Sequence, residues 1–192
     1  MKACVLLGNT RERSNTEAVT RLFADELAAR GAEVKIIALR GKNIQPCIGC
    51  DACHGALDSF GCALEDDMGE VAEEIISSDL LVLSSPIYSW FATPLIKTVM
   101  DRLYAFTKYP EGAEAYCLMR GISFALVATS GDVCAENCDL LDEAVRRMAK
   151  FAGAPYLGCF AVQDQGYENN HREEVKAGAR AFADKCAAMY AG

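Results

Sequence analysis

Small hydrogen-bonding side chains crowd the first loop of the chain, directly after an apolar run that ends at Gly8. The loop and the start of the next helix contain Asn9, Thr10, Arg11, Ser14, Asn15 and Thr16. The first N–H groups of a helix have no acceptor within it, and the helix dipole favours negative charge there. The stretch therefore predicts an anion site, most simply for phosphate. An ordinary loop in which Asn15 or Thr16 only caps the helix is the alternative.

Aromatic residues follow a second apolar strand, in a loop of about ten residues. The loop extends from Ser84 to Pro94 and contains Tyr88, Trp90 and Phe91. Aromatic faces and backbone amides at a strand end suit a flat ring, through stacking and hydrogen bonds to its edge. In the alternative interpretation, the aromatic residues cover the end of the sheet or form a subunit interface.

A third loop offers small residues, Ser130 and Gly131, over which a flat ring can slide. A plain turn and helix cap is the alternative. Cys134 and Cys138 follow closely, either as a redox pair beside the ring or as bystanders. A phosphate loop together with a ring-binding loop indicates a mononucleotide. The G-x-G-x-x-G pattern of dinucleotide sites and the Walker lysine pattern of nucleotide hydrolases are both absent.

Four of the ten cysteines lie in one irregular segment, at Cys47, Cys50, Cys53 and Cys62. The first three form two successive C-x-x-C spacings, which can cap three corners of a four-iron cube, and the fourth can complete it. Zinc, with His54 as a further candidate ligand, is a second alternative. A structural loop with free thiols is the third.

Apolar strand and helix patterns alternate along the whole chain. Strands are predicted at about 2–7, 33–39, 79–85, 122–129 and 156–162, and helices at about 15–30, 66–78, 94–103, 140–152 and 172–191. Five such units predict an α/β fold, a doubly wound five-stranded parallel sheet of order 2-1-3-4-5. In such a sheet the ligand lies outside the carboxyl ends of the strands, between strands one and three. Each of the three loops described above begins at this edge, directly after its strand.

Bulk properties narrow the function. A length of 192 residues predicts one domain, 1–192, with the cysteine-rich loop as an insertion at about 40–64. A net charge of −8 argues against a nucleic-acid partner. No apolar run reaches the roughly 18 residues of a membrane span, and no signal-peptide pattern precedes the first strand. We therefore expect a cytoplasmic protein.

At these motifs the chain resembles flavodoxin-like NAD(P)H-dependent FMN reductases, in the branch that contains the iron–sulfur flavoproteins. The shared segments are Gly8-Asn9-Thr10-Arg11 with Asn15-Thr16, Ser85-Pro86-Ile87-Tyr88 with Leu95, Lys97, Asp101 and Arg102, and the four cysteines followed by Asp66-Asp67-Met68. The resemblance implies a flavodoxin-like three-layer sandwich that binds FMN. It places the phosphate at Asn9, Arg11, Ser14, Asn15 and Thr16. It places the ring between one loop with Pro86, Ile87, Tyr88, Ser89 and Trp90 and another with Ser130 and Gly131.

The resemblance also implies an activity: hydride taken from NAD(P)H and electrons passed to a quinone, a free flavin, a metal ion or a redox protein. Backbone N–H groups of residues 87–90 are expected to face the reduced ring. The alternative is an electron-transfer flavoprotein without nicotinamide chemistry, with or without a 4Fe-4S cluster. The resemblance further implies a homodimer or homotetramer. The third predicted helix, with Tyr104 and Phe106 at its end, is a candidate contact surface.

Overall fold

A five-stranded parallel sheet forms the centre of the protein in the computed structural model, which describes residues 1–165 and 172–190. Its strands are β1 (Lys2–Leu7), β2 (Glu33–Ala38), β3 (Leu80–Pro86), β6 (Ser123–Ser130) and β7 (Tyr156–Gln163). Their order in the sheet is β2-β1-β3-β6-β7, with every pair parallel. The predicted doubly wound fold and its strand order are confirmed, because these five are the predicted strands taken in sequence.

Helices cover both faces of the sheet. They are α1 (Asn15–Ala29), α2 (Met68–Ile76), α3 (Pro94–Arg102), α4 (Cys134–Asn137), α5 (Asp139–Ala152) and α6 (Glu173–Ala188). Successive side chains of a strand point to opposite faces, so Leu81 and Leu83 enter the core under α2, α3 and α5, whereas Leu80 and Val82 enter the core under α1 and α6. The apolar residues of β3 therefore pack into the hydrophobic cores on both faces of the sheet.

Local sequence explains where the two helices nearest the predicted site begin. The Ser14 hydroxyl accepts the Glu17 N–H at 3.1 Å and caps α1. Thr93 caps α3 by accepting from Ile96 N, and Pro94 occupies the first turn. The loop before α3 is tied to the first loop as well, because the Thr93 hydroxyl donates to the Gly8 carbonyl at 2.8 Å. The two caps therefore fix both loops at the same sheet edge.

Several short elements were not predicted. Residues Thr107–Lys108 (β4) and Tyr116–Cys117 (β5) form a small antiparallel ladder, and 3₁₀ turns occur at Leu39–Gly41, Ala52–Gly55 and Leu103–Phe106. Two-residue strands carry no alternation that a sequence can reveal, since they depend on long-range contacts. The last helix ends at Ala188 rather than 191, a residue outside the described part of the chain.

The cysteine-rich segment is irregular, as predicted, apart from the 3₁₀ turns at Leu39–Gly41 and Ala52–Gly55. Gly61 has a φ of +61°, and a Cβ there would lie 2.2 Å from the Ala56 Cβ, so the segment folds closely on itself at a glycine. Phe106 is fully buried, which shows that the expectation of a surface contact at this residue was wrong; Tyr104 is exposed. Within the described ranges, no helix is both long and apolar enough to cross a bilayer.

Candidate functional site

A cleft of about 230 Å³ opens at the carboxyl ends of the strands, between the loops that follow β1, β3 and β6. Ten residues predicted for the site line it, namely Asn9, Arg11, Ser14, Asn15, Thr16, Pro86, Ile87, Tyr88, Ser130 and Gly131. Thr10, which belongs to the predicted anion stretch, lines it as well. Thr129 and Asp164 also line it and were not assigned to the ligand. Two predicted residues, Ser89 and Trp90, lie outside its lining. The structure thus brings together at one edge loops that are more than a hundred residues apart.

Buried hydroxyl groups hold the start of α1 against the strands. The Thr16 hydroxyl is 2.6 Å from that of Thr129 on β6, and the Thr20 hydroxyl is 2.6 Å from that of Ser84 on β3. Thr20 also donates to the Thr16 carbonyl one turn earlier. All four side chains are buried. The network fixes the direction in which the first N–H groups of α1 point.

The first turn of α1 is suited to an anion. Asn15 and Thr16 are its first residues, so their N–H groups have no acceptor within the helix. The Ser14 hydroxyl uses an oxygen lone pair as the cap and keeps its O–H for a ligand. Arg11 is exposed on the rim and can add a charged fork. Together with the helix dipole, these donors favour a phosphate.

Asn9 lines the cleft, but its amide is already used within the loop. Its side chain is buried and donates to the Arg11 carbonyl at 2.6 Å and to Glu17 Oε2 at 3.2 Å. Its carbonyl oxygen accepts from Arg40 at 3.4 Å. Asn9 thus shapes the loop, and its amide would have to exchange one of these bonds to contact a ligand.

Asp164, which follows β7, brings a carboxylate into the cleft. The Asn15 amide donates to this carboxylate, while the Asn15 Oδ1 atom is buried and has no donor in the described part of the chain. A buried acceptor without a donor is costly, so the site has room for a ligand hydroxyl at this point. A ligand with hydroxyl groups next to a phosphate satisfies both the orphaned oxygen and the N–H groups. The ribityl phosphate of FMN has this chemistry.

The predicted ring loop contains a two-residue turn at residues 88–91. Tyr88 N donates to the Phe91 carbonyl at 2.9 Å, and Phe91 N donates to the Tyr88 carbonyl at 3.0 Å. The central residues, Ser89 and Trp90, have φ values of +49° and +62°, as in type I′ turns. The turn projects Trp90 outward, and its side chain is 59% exposed. Trp90 therefore does not form the wall of the cleft that the sequence predicts.

Cys134 and Cys138 lie behind the third loop. The Cys134 sulfur is 3.4 Å from the Ser130 hydroxyl, whereas Cys138 is buried. Burial raises the pKa of the Cys138 thiol to about 11. The thiol form, which dominates at neutral pH, is the unreactive one. These observations favour a packing role for Cys138.

A second cavity, of about 120 Å³, is lined by all four cysteines of the irregular segment, Cys47, Cys50, Cys53 and Cys62. No three ligand side chains among the described residues converge on one point as a single ion requires. The cavity nevertheless brings together the four thiols that the sequence predicts as cluster ligands.

His54 does not line this cavity. Its ring packs edge-on against Tyr104 and Tyr109, with ring centroids 5.4 and 4.8 Å away. The alternative in which His54 joins the cysteines around a metal would require this aromatic group to rearrange.

Two cationic side chains are buried beside the cysteine cavity. Arg102 forms a two-fold ion pair with Asp66, at 2.8 and 3.1 Å, and donates to the Gln45 carbonyl. Burial opposes ionisation of Asp66, but hydrogen bonds from Arg102 and from Gln45 N and Met68 N outweigh it and lower its pKa. Lys108 is fully buried, which lowers its pKa, and the charges of Cys53 and Asp58 oppose that change.

Comparison with known proteins places the chain in a family. The profile described as NADPH-dependent FMN reductase matches residues 1–166. The chain is similar to an iron–sulfur flavoprotein of Methanocaldococcus jannaschii, at 31% identity over 53% of this chain and 51% of the relative. It is also similar to an iron–sulfur flavoprotein of Archaeoglobus fulgidus, at 33% identity over 66% of this chain and 60% of the relative. The chain thus spans between half and two thirds of the length of these curated relatives.

Solved structures agree on the fold. One is an NAD(P)H:quinone oxidoreductase from Methanothermobacter marburgensis, with a TM-score of 0.71, 16% identity, and coverage of 95% of this chain and 97% of that one. Another is an FMN-dependent NADH-azoreductase from Bacillus anthracis in complex with FMN, with a TM-score of 0.64, 16% identity, and coverage of 100% and 99%. The flavodoxin-like architecture is therefore shared, and the chain belongs to the NADPH-dependent FMN reductase family.

Proposed function

We propose that this protein is an FMN-dependent oxidoreductase that takes hydride from NAD(P)H and passes electrons to a second substrate. The observation that carries the proposal is the cleft at the carboxyl ends of the strands, where a helix N-terminus and a buried acceptor without a donor lie together. Family membership and quinone and azo reductases of the same fold support it. A quinone is the acceptor class that these similarities favour.

The residues of the cleft would hold the phosphate and the ribityl chain of the flavin. The N–H groups of Asn15 and Thr16 and the Ser14 hydroxyl would bind the phosphate, with Arg11 closing the rim. Asn15 and Asp164 would bind the ribityl hydroxyls. The hydride and electron chemistry is that of the flavin when it is bound, so no side chain of the cleft has to act as acid or base.

Donors for the reduced ring are fewer than the sequence suggests. Of the four N–H groups in residues 87–90, Ile87 N already donates to the Thr129 carbonyl at 2.7 Å, and Tyr88 N donates within the turn. Among the described residues, no acceptor contacts the N–H groups of Ser89 and Trp90. Both residues lie outside the lining of the cleft, so this loop would contact the ring through Pro86, Ile87 and Tyr88 rather than through free N–H donors.

Anaerobic mixing with a nicotinamide tests the proposed activity. The FMN-loaded protein should lose its yellow absorbance when NADPH or NADH is added in slight excess, and a quinone added afterwards should restore it. Each half-reaction should proceed without the other substrate, since one site serves both in turn. Free FMN at the same concentration is the control.

The alternative function, electron transfer without nicotinamide chemistry, predicts a different result in the same experiment. A pure electron carrier would bind FMN tightly, yet neither nicotinamide would reduce it within minutes, while dithionite would. That outcome would contradict the reductase proposal and leave the flavin site intact.

We further propose that the cysteine cavity binds a 4Fe-4S cluster through Cys47, Cys50, Cys53 and Cys62. Four thiols on one cavity fit the ligand set of such a cluster, and the curated relatives are named iron–sulfur flavoproteins. Protein prepared without oxygen should contain four iron and four sulfide per chain. A colourless, iron-free protein after anaerobic reconstitution would contradict this part alone.

A further inference from the structure

Lys108 is a buried cation that is surrounded by backbone carbonyls. Its ammonium donates to the carbonyls of Ala105 at 2.7 Å, Cys53 at 3.1 Å and Phe60 at 3.4 Å. Three acceptors require three N–H donors, which only the charged form of lysine supplies. No carboxylate among the described residues pairs with it. A buried charge with carbonyl partners alone is costly unless a negative group lies near.

Arg102 leaves one donor unused on the same side of the molecule. Its terminal nitrogens bind Asp66 and the Gln45 carbonyl, but Nε is buried and has no hydrogen-bond partner in the described part of the chain. The Cys62 sulfur lies beside this guanidinium. Arg102 lines the cysteine cavity, so the unused N–H is next to the place where a metal-bound thiolate would be.

Of the charged residues at the cavity, Arg102 pairs with Asp66, Asp101 pairs with Lys97, and Asp51 is exposed to solvent. Lys108, beside Cys53, has no ion pair in the part of the chain that the structure describes. Four thiolates around an oxidised cube that carries two positive charges have a net charge of −2, and reduction by one electron makes it −3. A buried cation therefore favours the reduced cluster over the oxidised one.

From these placements we infer that Lys108 and Arg102 are positioning residues for the cluster, which set its charge balance and raise its reduction potential. Lys108 does so from the Cys53 side, and Arg102 by donating Nε–H to the Cys62 sulfur. Hydrogen bonds to the sulfurs and nearby charge are the means by which proteins tune such potentials. The inference rests on the cluster proposed above and assigns its potential to named residues of this chain.

Neutralising Lys108 tests the inference. In Lys108→Met, the ratio of reduced to oxidised cluster at a fixed applied potential should fall about tenfold, which equals 59 mV for one electron. Lys108→Arg keeps the charge and should stay within about twofold of the wild type. The matched control is Lys176→Met, which removes a partly exposed lysine paired with Glu173 on α6. The ratio is read from the electron paramagnetic resonance of the reduced cluster during a dye-mediated titration.

Iron and sulfide content separates the outcomes. Full content with an unchanged ratio in Lys108→Met would overturn the inference, whereas a wild type that binds FMN but no iron would contradict the proposed cluster instead.

Asp58→Asn provides a second variant if Lys108→Met does not fold. Asp58 is exposed, and its charge acts on Lys108. Removing this negative charge should raise the ratio about twofold at low salt, where screening is weakest. No change there would also overturn the inference.

Discussion

Asp66→Asn should destabilise the protein by about 3–5 kcal/mol, because it leaves the Arg102 guanidinium buried without its counter-charge. Both side chains of the pair are only 1% exposed. The loss would be a large part of the roughly 5–15 kcal/mol by which small domains are stable. Urea unfolding followed by circular dichroism measures it as a fall in the midpoint with an unchanged slope.

Asp101→Asn is the matched control. Asp101 is one residue before Arg102 and pairs with Lys97, but both side chains are about half exposed. The same change there should cost less than about 1 kcal/mol, since water already solvates both charges. Equal losses of unfolding free energy in the two variants would show that the buried Asp66–Arg102 pair stabilises the fold no more than an exposed pair does.

The pH dependence of the unfolding free energy tests the same ion pair between Asp66 and Arg102. The pKa of Asp66 is lower in the folded state than in the unfolded chain. Its contribution is therefore complete above the unfolded pKa of about 3.9 and is lost as the pH falls through the lower folded value. The stability gap between wild type and Asp66→Asn should be constant at neutral pH and close below about pH 4. A gap that closes toward alkaline pH would contradict this assignment.

Asn15→Asp should weaken FMN binding by about 30- to 1,000-fold. It places a second carboxylate beside Asp164, at the end of the cleft where the phosphate is proposed to bind. One added negative charge near an anion costs about 2–4 kcal/mol at an effective dielectric constant of 20, and each 1.4 kcal/mol is a factor of ten. Quenching of flavin fluorescence during titration measures the dissociation constant.

Riboflavin gives the internal comparison for this variant. Because it lacks the phosphate, its affinity should fall much less than that of FMN. Asn43→Asp makes the same charge change at an exposed position outside the cleft and should leave both affinities unchanged. Equal losses for riboflavin and FMN in Asn15→Asp would locate the phosphate elsewhere.

The sequence predicts the fold and the floor of the site for clear reasons. Apolar runs such as Leu80–Leu83, which need cover on both faces, indicate central parallel strands, and the strand order then fixes the edge where ligands bind. Ser14 and Pro94 mark helix starts by local chemistry, and both are at the predicted helix starts. The cap itself was misassigned, because the alternative interpretation named Asn15 or Thr16 and the structure shows Ser14.

Pairings across the chain were not predictable in the same way. Asp164 contacts Asn15 across 149 residues, and Arg102 pairs with Asp66 across 36. Read locally, the acids at 66 and 67 indicate only a helix N-terminus, and Asp66 does accept from Met68 N there. The ion pair of Asp66 with Arg102 forms only when α3 packs beside it, so the local sequence does not reveal it.

The turn in the ring loop, at residues 88–91, could not be predicted for a different reason. A type I′ turn normally carries glycine or asparagine, because both central residues need positive φ. Here Ser89 and Trp90 occupy those positions, so the sequence has no turn signature and Trp90 reads as a wall residue. Tertiary contacts at Ile87 and Thr93 hold the turn in place.

A comparison of FMN with riboflavin on the wild-type protein tests the central claim most directly. The claim is that the first turn of α1 holds the phosphate of a flavin whose ring lies between the loops after β3 and β6. Equilibrium titration should show FMN binding at least about a hundredfold more tightly than riboflavin, since several charge-assisted hydrogen bonds go to the phosphate. Equal affinities, or selective binding of an adenine nucleotide with none of FMN, would contradict it.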